Sequence, residues 1–202
     1  SPPAITIRQI HSTLTHLVAP GSGPFVSVEG HALLEGDGLM TALPGVLPGT
    51  QTAGCVPVAV IDPEKCAVAV FHAGWRGTVA GIVEAGIGRM VREFASRPGD
   101  LLAAVGPSIG PCCYTVGKEV QTAFTKKFPY GAQLFQQDQL NLWEANRRQL
   151  LEAGVPPASI TVVAECTGCA RNAAGQKKYF SHRIDHGVTG RMMSVVGIVQ
   201  TH

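Results

Sequence analysis

The sequence predicts an α/β (α+β) fold: one domain over residues 1–202, built as a layered sandwich in which helices flank a mixed β-sheet. Three observations carry this expectation. Strand-like and helix-like segments alternate along most of the chain. "CAVAVFHA" (66–73) is apolar enough for burial on both faces, as in a central strand. Between 79 and 94, apolar residues recur at 79, 82, 83, 87, 90, 91 and 94, the spacing of one helical face.

Taken in order, "AITIRQIHSTLTHLV" (4–18) alternates like a strand or hairpin edge and stops at the Pro-Gly-Ser-Gly-Pro turn of 20–24. Residues 37–61 contain two or three short β-like pieces separated by Pro-Gly pairs, and "CAVAVFHA" follows as a central strand. The helix over 79–94 meets Arg97-Pro98-Gly99-Asp100 as its stop. "LLAAVGP" (101–107) reads as a buried strand and "GKEVQTAFTKKF" (117–128) as a helix. A longer helix spans 138–155, closed by Gly154 and by Pro156 and Pro157. "ITVVAEC" (160–166) and "RMMSVVGIVQT" (191–201) complete the set as strands.

Composition narrows the function classes. With 45% apolar and 15% charged residues, the chain is expected to form a compact soluble globule. Sixteen Lys plus Arg against fourteen Asp plus Glu leave +2, with no basic run interleaved with aromatics, so a nucleic-acid partner is not expected. A membrane span and a signal peptide are not expected either, which places the chain in the cytoplasm as a monomer or weak dimer. Six cysteines, at 55, 66, 112, 113, 166 and 169, then read as reduced thiols. Cys166 and Cys169 form a CxxC. Because Cys112 and Cys113 are adjacent, no second pair stands at zinc-ribbon spacing, and ordinary reduced thiols are expected in preference to a structural zinc site or a redox role.

The candidate site begins at "HAGWRG". His72 falls at the end of a buried strand just ahead of a helix, where open α/β sheets present side chains to ligands. Trp75 offers a stacking face, and Arg76 a bidentate grip on an anion. Packing alone explains such a His and Trp equally well, and these residues do not decide between the two. "RQIHS" places His11 on the first strand, and "TAGCVPV" places Cys55 at a strand break, so a folded sheet could gather His11, Cys55 and His72. Spacing alone does not show that they meet.

In this order, "RQIHS", "DGLMT", "TAGCVPV", "HAGWRGTVAGI", "VGPSIGPCCYTVG", "ECT" and "YFSHRIDHGVTGRM" resemble the YfiH-like laccase-domain family. That family is also called multicopper polyphenol oxidoreductases or purine nucleoside phosphorylases, and its fold is similar to that of cytotoxic necrotising factor. The resemblance implies a metal, usually zinc with copper as the alternative, held by His11, Cys55 and His72. Two imidazoles and one thiolate would leave a tetrahedral ion one open position, as in catalytic sites, where bound water ionises near pH ~7. The implied substrates are purine nucleosides (adenosine, inosine, methylthioadenosine) with inorganic phosphate, and adenosine deamination is a companion reaction. Trp75, Arg76, Arg183 and Arg191 become candidates for substrate contacts, and Gly110 for close backbone approach to the nucleoside. For the arginines surface roles are as plausible, and for Gly110 a plain turn is nearly so.

Three departures from the family's pattern bear on the rate. Gly54 stands where many relatives carry Asp before the metal-binding Cys, and Ile184 where many carry a second Arg. An N-terminal Arg-Gly-Gly segment of many relatives has no counterpart here. Together they imply altered metal affinity or weakened phosphorolysis. The runner-up chemistry is copper-dependent phenol oxidation. A third is a metal-free hydrolase with Cys55 as nucleophile and His72 as base.

Overall fold

The computed structural model describes residues 4–27 and 30–199. Among the described residues, eleven strands and four α-helices follow one another. They are β1 (Ala4–Ile5), β2 (Thr15–Val18), β3 (Gly38–Thr41), β4 (Leu47–Thr52), β5 (Val56–Asp62), β6 (Ala67–Ala73), α1 (Trp75–Ala80), α2 (Ile82–Phe94) and β7 (Leu102–Val105). α3 (Lys118–Lys127), β8 (Phe135–Gln136), β9 (Gln139–Leu140), α4 (Leu142–Glu152), β10 (Ile160–Val162) and β11 (Met192–Val195) complete them.

Six strands form the main sheet in the order β10-β7-β5-β6-β3-β2. Its outer pairs, β10 with β7 and β3 with β2, are parallel, while β5, β6 and their neighbours run antiparallel, so the sheet is mixed as expected. A smaller sheet, β1-β4-β11, covers one face, and α2 and α4 cover the other. Such a three-layer arrangement buries both faces of the central strands.

β6 shows why. Every one of its residues is buried. Ala67, Ala69, Phe71 and Ala73 point into the helical core with Met40, Ile82, Ile87 and Met90, whereas Val70 points to the opposite core with Ile7, Val18, Phe25 and Leu39. With both layers apolar, no polar alternation survives along the strand. Complete burial of Phe71 alone contributes about 1.5–3 kcal/mol.

The helix expected over 79–94 is two helices. Gly81 adopts the left-handed conformation (φ 85°), closing α1 and redirecting the chain into α2. The helix expected over 138–155 begins only at Leu142, because Gln139–Leu140 pairs with Phe135–Gln136. The last strand is confined to Met192–Val195, and residues 200–201 of that expectation lie outside the described residues. No helix among the described residues is long and apolar enough to cross a membrane.

Asn141 caps α4, its side-chain oxygen accepting the N–H of Glu144 at 3.0 Å. An Asn141→Ala substitution therefore lowers stability by about 1 kcal/mol. Thermal unfolding is expected to shift down by about 2–4 °C for a domain of this size.

Candidate metal centre

β6 ends at Ala73, and strand geometry decides what His72 meets. The register of β3 with β6 sets Gly38 opposite Phe71, so Asp37, one residue earlier, stands opposite His72. The His72 amide donates to the Asp37 carbonyl (2.7 Å), and His72 Nδ1 lies 2.8 Å from Asp37 Oδ1. Both side chains are buried. The same carboxylate accepts backbone N–H groups from Ile10 (3.3 Å), His11 (3.0 Å) and Ser12 (2.5 Å), together with the Ser12 hydroxyl (2.7 Å).

This wrapping corrects one expectation. His11 is not on a strand, because the amides of 10–12 are given to a carboxylate instead of a neighbouring strand, and His11 adopts φ 61°. A non-glycine residue there costs about 1–3 kcal/mol, which the Asp37 hydrogen bonds offset. The imidazole is thereby turned towards Cys55, which sits immediately before β5.

The ligand atoms of His11, Cys55 and His72 all lie within 4.8 Å of one another. Cys55 Sγ is 3.9 Å from His11 Nε2, and the two imidazole rings meet edge-on with centroids 4.9 Å apart. Gly74 makes this convergence possible: a Cβ there would stand 2.8 Å from His11 Cδ2 and 3.0 Å from Cys55 Sγ. Two imidazoles and a thiol fit a zinc site with one vertex free, and the Asp37–His72 bond is the outer contact that would fix the imidazole if it held an ion. Asp37 thus supplies an outer carboxylate although Gly54 does not.

Electrostatics agree with cation binding. Burial disfavours the charged Asp37, but hydrogen bonds from His72, Ser12 and His11 outweigh it and hold the carboxyl at about 2. Burial likewise opposes ionisation of Cys55, yet His11 and His72 bring it down to about 6. His72 is raised to about 9 because Asp37 and Cys55 outweigh its own burial. Without an ion, a thiolate therefore faces an imidazolium braced by a carboxylate. A cation would take the place of that proton, so its binding releases protons.

A cavity of about 350 Å³ opens over this cluster. Trp75 and Arg76, in the first turn of α1, form one wall; Ile109 and Tyr114 form another; His182, Arg183 and Arg191 close the third. Arg76 lies 4.3 Å over the Trp75 ring, and Arg183 lies 5.1 Å over Tyr114 while donating to the Thr115 carbonyl at 2.5 Å. Arg191 donates to the carbonyls of Thr189 (3.2 Å) and Gly190 (3.0 Å). Among the described residues, none of these three guanidiniums is paired with a carboxylate. Tyr114, pushed up to about 12 by burial and by the nearby Cys55, is a neutral phenol able to donate a hydrogen bond.

Gly110 departs from expectation. It does not line the cavity; a Cβ there would stand 2.5 Å from Trp143 Cη2 and 3.1 Å from Cys166 Cβ, so the position serves packing. Four of the other cysteines also come together, which their spacing along the chain does not show. The Sγ atoms of Cys112, Cys113, Cys166 and Cys169 lie within 4.8 Å of one another, because the loops after β7 and β10 are held side by side. Three site residues went unassigned in the sequence: Asp37, Tyr114 and His182. Each lies within a block that carries the resemblance ("DGLMT", "GPSIGPCCYTVG", "YFSHRIDHG"), which was the available signal.

A family model described as multi-copper polyphenol oxidoreductase laccase matches residues 1–199. The chain belongs to this family. Purine nucleoside phosphorylase YlmD of Geobacillus stearothermophilus is 42% identical over 171 residues, covering 80% of this chain and 59% of that protein. The chain thus spans little more than half of that relative. Adenosine deaminase RL5, from an unknown prokaryotic organism, is 38% identical over 169 residues, 80% of this chain and 64% of that protein. The crystal structure of Bacillus licheniformis YfiH superposes with a TM-score of 0.88 at 35% identity, covering 96% of this chain and 74% of that one.

Proposed function

We propose that this chain is a metal-dependent purine nucleoside phosphorylase acting on adenosine, inosine and methylthioadenosine, with adenosine deamination as a side activity. The observation that carries the reading is one cavity holding a His/Cys/His ligand group, an aromatic wall and three guanidiniums free of carboxylate partners. The relatives named for these two reactions support it.

His11, Cys55 and His72 would hold the ion, with zinc favoured and copper the alternative, and it would supply Lewis acidity beside the substrate. Trp75 and Tyr114 offer flat faces to a purine, while Arg76, Arg183 and Arg191 match the oxygens of phosphate. In phosphorolysis a phosphate oxygen bonds to C1′ as the C1′–N9 bond breaks. The electron pair leaves with the base, which takes up a proton, and the 1-phosphate of the sugar remains: ribose 1-phosphate from adenosine or inosine, 5-methylthioribose 1-phosphate from methylthioadenosine. The guanidiniums hold the phosphate next to C1′, and the neutral Tyr114 phenol can donate to the departing base.

Deamination is placed second for a structural reason. No carboxylate lines the cavity among the described residues, and Asp37 is already engaged by five donors, so a carboxylate proton carrier beside C6 is lacking. A cytoplasmic, reducing setting suits six free thiols.

The purified protein, incubated with each nucleoside with and without phosphate, is expected to release free base and the matching sugar phosphate (ribose 1-phosphate, or 5-methylthioribose 1-phosphate from methylthioadenosine) only with phosphate, as read by chromatography. Chelation should abolish the release and zinc restore it. Inertness towards all three nucleosides, with oxygen uptake on a phenol once copper is added, would overturn the proposal in favour of the oxidase chemistry.

A further inference from the structure

We propose that Cys112, Cys113, Cys166 and Cys169 bind a second zinc ion, a closed four-thiolate site that staples two walls of the cavity together. Their Sγ atoms form a compact group with no pair more than 4.8 Å apart, and Cys112 and Cys169 are 3.6 Å apart. Four sulfurs at the usual ~2.3 Å from a tetrahedral zinc stand about 3.8 Å from one another. The group therefore closes around an ion with little movement. A tight turn over 111–113 directs the adjacent Cys112 and Cys113 to the same point, which an extended strand would prevent.

The backbone is arranged for thiolates. Cys166 is buried, and its sulfur accepts the amides of Gly110 (3.2 Å) and Gly168 (3.4 Å). N–H groups aimed at sulfur stabilise the anionic ligand a metal requires. Gly168 lets the two loops meet, since a Cβ there would stand 3.0 Å from Cys113 Cβ. A parallel bridge between Ser108 and Cys166 holds the loops in register. With four protein ligands and no vertex left for water, the site is structural.

Its position gives it a role. One loop runs from Ile109 to Tyr114, the other continues to His182 and Arg183, and all four residues line the cavity. An ion between the loops would fix the spacing of the Tyr114 and Arg183 walls independently of the His/Cys/His group.

The test is metal content of the whole purified protein by elemental analysis, in wild type, His72→Ala and the Cys112→Ser/Cys169→Ser double variant. Two zinc equivalents are expected in wild type and one in each variant. One equivalent in wild type that persists in His72→Ala and is lost in the double variant would support this site while overturning the catalytic ion. One equivalent lost in His72→Ala would overturn the second site, as would a Cys112–Cys169 disulfide found by mass spectrometry of protein kept under reducing conditions. Should the double variant fail to fold, cobalt substitution of wild type decides. A four-sulfur ligand field beside the mixed one is expected, and a mixed nitrogen–sulfur spectrum alone refutes the proposal.

Discussion

Cys55→Ser is expected to lower phosphate-dependent release of base by on the order of 10³-fold, reflecting the several kcal/mol a catalytic ion contributes. Serine preserves the shape of the side chain, but its hydroxyl stays protonated near neutrality, so the anionic ligand between the two imidazoles is lost. The thiol ionises readily, since His11 and His72 outweigh its burial and bring it down to about 6. Elemental analysis should show the His/Cys/His ion depleted in step with activity. Retained metal with lost activity would instead show that the sulfur acts on the substrate and is not needed to hold the ion.

Asp37→Asn is expected to weaken metal affinity and the phosphorolysis rate by about 10–100-fold, the usual effect of removing an outer contact to a ligating histidine. The substitution acts on both imidazoles. It removes the charge that orients His72 through Nδ1, and its amide group turns donors towards the N–H groups of residues 10–12, which currently converge on the carboxylate. His11, held at φ 61° by those bonds, loses its support. Competition for the ion against a chelator of known affinity reads the affinity change directly. Because a folding defect alone would not shift that equilibrium in intact protein, an unchanged metal affinity beside reduced stability would assign Asp37 to the scaffold only.

Much of the architecture follows from local pattern. The unbroken apolar character of β6 announces burial on both faces, and β3, β4 and β5 occupy the 37–61 segment, although only Pro44-Gly45 separates two of them: Pro48-Gly49 lies inside β4, and β4 and β5 part at residues 53–55. Differences arise where a single backbone conformation overrides periodicity. Gly81 divides a helix whose apolar stripe is continuous, and the segment around His11 leaves the strand pattern because Asp37 captures its amides. His11, Cys55 and His72 could be named from the motifs. That their ligand atoms converge could not.

Residue identity and short-range period therefore determined the central strands, most of the helices and the types of ligand available to this protein, but not the β8–β9 hairpin or the break between β1 and β2. Only the tertiary structure decided which of them meet. The Asp37–His72 pair spans 35 residues and the Cys112–Cys169 pair 57. Such contacts depend on sheet register and on how loops are laid against one another. Those are set by burial summed over the whole core, a quantity that no short window of sequence contains.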